Sequence, residues 1–250
     1  MTSPSAGPRR SRSTFDRVRD ELGTAIVTGE LPAGHRDSID GFVARTGASR
    51  SIVREAVRVL VGSGLLSARR RTGLVVHPAG AWDVTDPVVL GWQLAGPDRE
   101  RVVAHLRALR RAVEPAAASA AAAAVAAGVP ARRYGPGSLE DVIVRDPLEV
   151  LLENATVMAA WTDADDAATF LQADRALHRT VLALSGNAFF IRLGGLTERA
   201  LDDRASIRPD LHDVGLHVRL AHAVADGEPV TAASAMTEII DRTAAPHPLA

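Results

Sequence analysis

Apolar positions recur every three to four residues from Phe15 onward. Val18, Leu22, Ile26 and Val27 form one stripe, which Gly29 and the following LPAG bring to an end. This spacing predicts a first helix. A second, short helix is predicted over 38–46, with Ser38 as its cap and Ile39, Phe42 and Val43 on the buried side. Gly41 weakens it. TGAS then makes a tight turn. Ser49 caps a third helix running through about Val61, with Ile52, Ala56, Val59 and Leu60 facing inward. Arg50, Arg54 and Arg58 recur every four residues and share another face. Gly62 and Gly64 close the helix. The period then shortens: LLSARR and GLVVH read as two strands around a turn near Arg71 to Gly73. Three helices followed by a hairpin is the order of a winged helix-turn-helix.

The remaining pattern is helical almost throughout. Helices are predicted at about 101–127, 147–160, 163–184, 188–203, 208–226 and 229–243, with a long connection over 128–146. The fold class expected is mainly α: an N-terminal winged helix-turn-helix over 14–78 and a C-terminal all-α helical bundle over 101–245. Residues 1–13 lack periodicity and are expected to be a disordered tail. Residues 79–100 are expected to be a linker, anchored on a domain by the indoles of Trp82 and Trp92.

Composition narrows the chemistry. Aromatic residues make up only 4% of the 250 positions, so Ala, Val and Leu must fill the cores. There is no Cys, which excludes disulfides, thiolate metal sites and a cysteine nucleophile. The first residues carry charge but no apolar run, and no apolar segment reaches membrane-spanning length, so a cytoplasmic protein is expected. Net charge is −1 overall but unevenly placed. Residues 1–80 hold 13 Arg against 7 acids, and residues 81–250 hold 16 Arg against 23 acids. A basic module ahead of an acidic one assigns contact with a polyanion to the first. The third helix then carries arginines at a spacing that fits a major groove, and the hairpin offers Arg69, Arg70 and Arg71 to the DNA backbone or minor groove.

Two constellations stand out in the second half. Asp174 and His178 are four apart, hence on one helix face, within a helix whose Phe170, Leu177, Val181 and Leu182 point to burial. They can share a divalent metal or satisfy each other by a hydrogen bond. His212, His217 and His222 lie on a later helix, and spacing selects none of them. Arg110 and Glu114 are also four apart; they can pair, or Arg110 can face inward and grip an anion with two N–H donors.

The first domain resembles the DNA-binding domain of the GntR family of bacterial transcription regulators. AIVTGELPAG, GASRSIVREAVRVL, GSGLL and RRRTGLVV carry the likeness from about Val18 to His77. The resemblance implies DNA contact by Arg50 and Arg54, phosphate contact near Ser49 and Ser51, and wing contact by Arg70, Arg71 and Gly73. Asp40 departs from the pattern, because family members often carry a basic, DNA-contacting residue there.

The second domain resembles the helical ligand-binding domain of the FadR-like subfamily. LRALRRAVEPAAASAAA, DRALHRTVLALSGN and HVRLAHAVADGEPVTAASAM carry this likeness. It implies a divalent metal, such as zinc, on Asp174, His178 and His217, with the fourth family position falling on Ile239, which cannot ligate. WDVTDPVVLGW is similar to the linker of sugar-acid-responsive, galactonate-type members. That implies a small sugar acid or hydroxy acid as effector, its carboxylate gripped by Arg110 with Asn187 nearby. The protein expected is therefore a homodimeric repressor, not an enzyme, released from double-stranded operator DNA by its effector. Three alternatives stand beside it: a metal-free regulator responding to acyl-CoA, a metal-dependent enzyme, and a DNA-binding protein whose helical domain only dimerises.

Overall fold

The computed structural model describes residues 13–69, 73–129, 146–161, 167–202 and 211–244. Contacts divide the chain into two units, Met1–Val102 and Val103–Ala250.

In the first unit the order is α1 (Thr14–Val27), β1 (Arg36–Asp37), α2 (Ile39–Thr46), α3 (Arg50–Gly62), β2 (Leu66–Arg69), β3 (Gly73–Val76), a 3-10 turn at Ala79–Ala81 and α4 (Pro87–Ala95). Ser13, Ser38 and Ser49 each accept a backbone N–H from the first turn of α1, α2 and α3. α2 stops at Gly47, which takes the left-handed conformation at φ 65° and donates its N–H to the Val43 carbonyl. Only two residues then separate Gly47 from the start of α3, and this makes the tight turn. The strands form an antiparallel sheet in the order β1-β3-β2. Leu66 pairs with Val76 and Arg69 with Gly73, while Arg36 of β1 pairs with Val75. The two residues of β1 are too short to show alternation, so the pattern along the chain gave no sign of them.

Val18, Leu22 and Ile26 of α1 pack with Phe42 of α2 and with Val53, Ala56, Val57 and Leu60 of α3. The inward stripe of α3 differs from the one expected. Val53 and Val57 are buried, Ile52 is only partly covered and Val59 is 37% exposed. Both stripes satisfy helical spacing, and docking against α1 selects between them.

Residues 79–100, expected as a linker, contain α4. Asp86 caps it and Pro87 begins it. Val89 and Trp92 of α4 join the first core, and Trp82 donates its indole N–H to the His77 carbonyl at 3.1 Å. The Trp92 ring packs so closely on α1 that a Cβ at Gly23 would stand 2.3 Å from it.

The second unit is helical. α5 (Arg99–Ala126), α6 (Pro147–Ala159), α7 (Ala167–Leu184), α8 (Ala188–Asp202), α9 (Leu211–Ala225) and α10 (Pro229–Ala244) follow the predicted boundaries within a few residues. α6 packs on α7 and α9, α9 on α10, and α7 on α8. Ala118, Ala121 and Ala122 of α5 are fully buried with Leu151, Met158, Leu177, Val181, Leu220, Val224 and Met236. Alanine at these positions lets the helix backbones approach closely, which replaces aromatic bulk as the means of filling the core. Most of the long connection, 130–145, lies outside the described residues, as do Arg70 and Arg71. Among the described residues, no helix is long and apolar enough to cross a membrane.

Candidate DNA-reading face and metal centre

α3 buries one side in the first unit and leaves Arg50, Arg54 and Arg58 exposed on the other. Ser49 caps the helix by accepting the Ile52 N–H at 3.4 Å, and its hydroxyl lies 3.0 Å from that of Ser51. Both serines are exposed at the positive end of the helix, where backbone N–H groups favour an anion. Arg50 is engaged by Asp40, with Nη1 to Oδ1 at 3.0 Å and Nη2 to Oδ2 at 3.1 Å. Gly73 opens β3 at φ 70°, opposite the exposed Arg69.

In the second unit, Asp174 and His178 sit one turn apart on α7 and meet His217 of α9. All three are buried, at 1%, 1% and 0% exposure. Oδ1 of Asp174 lies 3.0 Å from Nε2 of His217 and 3.3 Å from Nε2 of His178. The carboxylate and the two imidazoles each offer one ligand atom, all within 4.8 Å of one another. Ligand atoms each about 2.1 Å from a common ion stand about 3.0–3.4 Å apart, which is the spacing from Asp174 Oδ1 to each imidazole.

The outer nitrogens explain why the inner ones point this way. Nδ1 of His217 lies 2.6 Å from the Asp213 carbonyl, which can only accept, so Nδ1 donates. Nδ1 of His178 lies 2.9 Å from Oε2 of Glu114. Burial would raise the Glu114 pKa, but Arg110 and His178 outweigh it and hold the carboxyl lowered to about 2, so Glu114 accepts as well. Each ring in its neutral form thus turns a lone pair toward the Asp174 carboxylate. Nε2 of His217 is buried 3.0 Å from Asp174 Oδ1, and with the ring proton on Nδ1 it has no hydrogen to donate there. Lone pairs facing a carboxylate oxygen at such distances call for a cation among them. In the absence of metal a proton can serve. Burial alone would lower the His178 pKa, but Glu114 and Asp174 raise it. Burial alone would raise that of Asp174, yet His178 and His217 hold it well below the ordinary carboxylate range.

Arg110 is 1% exposed at the edge of this cluster. Nε and Nη2 donate to the two Glu114 oxygens at 2.9 and 3.1 Å, and Nη2 lies 3.4 Å from both ring nitrogens of His178. The structure therefore brings Asp174, His178, His217 and Arg110 together. It places Asn187 at the start of α8, where Oδ1 accepts the Phe189 and Phe190 N–H groups, and no hydrogen bond among the described residues joins it to the cluster. His212 and His222 are exposed, and His212 faces Glu238. Ile239 is buried among apolar neighbours. Glu114, the support of His178, is the residue that sequence reasoning left out of the site. Its signal was an acid in an alanine-rich helix, four residues after Arg110.

Residues 14–76 match the family model described as bacterial regulatory proteins, gntR family, and residues 143–242 match the FCD domain. The galactonate operon transcriptional repressor of Escherichia coli (strain K12) is 33% identical over 102 residues, 40% of this chain and 44% of that protein. The HTH-type transcriptional regulator YieP of the same organism is 33% identical over 95 residues, 38% of this chain and 37% of its own. The chain thus matches less than half the length of either relative. A solved structure of Lar, described as controlling expression of the Listeria monocytogenes agr system, aligns with a TM-score of 0.54 at 15% identity, over 94% of this chain and 96% of that one. That likeness shows the fold.

Proposed function

Since the chain joins a gntR-family DNA-binding domain to an FCD domain, and so belongs to the GntR family, we propose that it is a transcription regulator. In this reading it binds operator DNA as a dimer through Ser49, Arg50, Ser51 and Arg54 of the α3 region and Arg70, Arg71 and Gly73 of the wing. A divalent metal, zinc among the candidates, is held by Asp174, His178 and His217. A small sugar acid or hydroxy acid binds there and releases the DNA.

The observation that carries the reading is the split of α3 into a buried apolar stripe and an exposed row of arginines. This gives a surface that can enter a major groove without disturbing the core. The effector class follows from charge. Arg110 contributes one positive charge, and Glu114 and Asp174 one negative charge each. With neutral imidazoles and a divalent ion the buried set carries a net positive charge, and a monocarboxylate neutralises it. Carboxylate and adjacent hydroxyl can also fill the ligand positions that three protein groups leave open. A fatty acyl chain gains nothing from such a set. The curated relative named for a galactonate operon supports the same class, and a family described as regulatory proteins agrees with a non-enzymatic role.

The test begins with selection of duplexes from a random library by the full chain. Fluorescence anisotropy then follows release by hexonates, lactate and acyl-CoA, with and without EDTA. A two-fold symmetric duplex should be enriched, and a hexonate should weaken its binding by about tenfold, within the usual range of coupling. EDTA should abolish the response. Release by acyl-CoA alone would replace the effector assignment, and release by neither would leave the second unit as a dimerisation module.

A further inference from the structure

We infer that Asp40 determines DNA specificity by holding Arg50 for base reading in place of phosphate neutralisation. The inference rests on the DNA-binding function proposed above and adds a role for a residue that faces away from neither the helix start nor the wing. Asp40 is the second residue of α2, and Arg50 is the first of α3. The turn at Gly47 folds these two helix starts against each other. The Asp40 carboxylate then meets both terminal nitrogens of Arg50, at 3.0 and 3.1 Å. Asp40 and Arg50, the first arginine of the row, share a groove with Ala68, Arg69 and Gly73 of the wing strands.

A guanidinium has five N–H donors, and a two-point grip on its terminal nitrogens uses one from each. Three remain. Among them, Nε–H and the outer hydrogen of a terminal nitrogen form a second parallel pair, which matches O6 and N7 of guanine. Asp40 thus leaves Arg50 a complete reading edge and fixes its direction. It also cancels the charge. An isolated arginine at this exposed helix start is attracted to any nearby phosphate, whatever the sequence. The neutral Asp40–Arg50 pair has little such attraction but keeps its directional donors. Both side chains are largely exposed, at 68% and 59%. A pair exposed to this degree adds little to folding stability, so its removal leaves the fold intact and any change is read in DNA binding.

The experiment uses the full chain, the duplex that wild type enriches from a random library, and a scrambled duplex, between about 50 and 200 mM salt. Asp40→Asn removes the charge and keeps the shape. It should bind scrambled DNA several-fold more tightly, with a slope of log affinity against log salt steeper by about 0.9, one phosphate contact. Its preference for the selected duplex should fall by about tenfold, the scale of one lost two-point base contact. Asp40→Ser, which also suits a helix start, should behave alike. Arg50→Ala should cancel the added slope in the Asp40→Asn background, and Asp40→Glu should restore part of the preference. Thermal melts verify that each variant is folded. An unchanged preference and slope, or an equal gain on both duplexes, overturns the role of Asp40 while leaving DNA binding intact. A wild-type chain that enriches no sequence overturns DNA binding and the inference with it.

Discussion

Oε2 of Glu114 lies 2.9 Å from Nδ1 of His178, and this contact turns the opposite edge of the ring toward Asp174. Glu114 comes from α5 and His178 from α7, more than sixty residues later in the chain. Arg110 grips both Glu114 oxygens and shares Oε2 with His178, so an unbroken polar chain runs from Arg110 through Glu114, His178 and Asp174 to His217.

Glu114→Gln keeps the shape of that support and removes its charge. Groups behind a metal-binding imidazole typically change metal affinity by about 10–100-fold. A loss in this range is expected, measured by competition with a chelator of known affinity. His222→Ala serves as the control, since His222 is exposed, and it should leave affinity unchanged. A Glu114→Gln protein that binds metal like wild type would remove Glu114 from the site.

Stability of the metal-free protein should fall off on both sides of a middle pH range. Glu114, ordinarily at 4.5, is lowered to about 2, and Asp174 is lowered too. Their contribution is present above the ordinary carboxylate range and is lost as pH falls toward 2. His178 is raised above 6.5. Its contribution is complete below 6.5 and is lost as pH rises through the raised value. In the proposed function a saturating divalent ion takes the place of the proton, so the alkaline decline should disappear when melting is repeated with zinc. Metal present at about a hundred times its Kd adds roughly 2.7 kcal/mol. An alkaline decline that is the same with and without metal would contradict the three-residue centre.

Gly23→Ala should destabilise the first unit. Replacing glycine inside a helix gains about 0.5–1 kcal/mol from backbone entropy. The new Cβ would stand 2.3–2.5 Å from three atoms of the Trp92 ring. Overpacking of this kind costs about 1–3 kcal/mol, so the clash outweighs the gain. Urea unfolding should show a net loss, and Trp92→Leu in the Gly23→Ala background should recover part of it. A stabilised Gly23→Ala protein would mean that α4 does not dock on α1 through Trp92.

Arg54→Ala tests the middle of the exposed arginine row. Loss of a two-point contact to guanine should weaken binding to the selected duplex by about 1–3 kcal/mol, with a much smaller effect on scrambled DNA. Equal losses on the two duplexes, accompanied by a shallower salt slope, would reassign Arg54 to phosphate contact. Anisotropy titrations on both duplexes distinguish the outcomes.

Local pattern carried most of the architecture. Capping serines, glycine stops and repeats of three and four mark α1, α2 and α3, and the same periodicity marks the helices of the second unit. The pairing of Asp174 with His178 was legible for the same reason: residues four apart on a helix share a face whatever surrounds them. Arg50, Arg54 and Arg58 were aligned by that rule too. What periodicity leaves open is which of two overlapping stripes turns inward, and packing of α3 against α1 chose Val53 and Val57 over Ile52 and Val59. β1 depends on β3 for its hydrogen bonds, and α4 depends on the gap above Gly23 for the Trp92 ring. The selection of His217 over His212 and His222, and the reach of Glu114 to His178, join side chains from different helices. Spacing along a chain sets the neighbours of a residue on its own helix. Neighbours from other helices are set by how those helices pack, because burial of apolar area fixes their contact faces only when all of them are present.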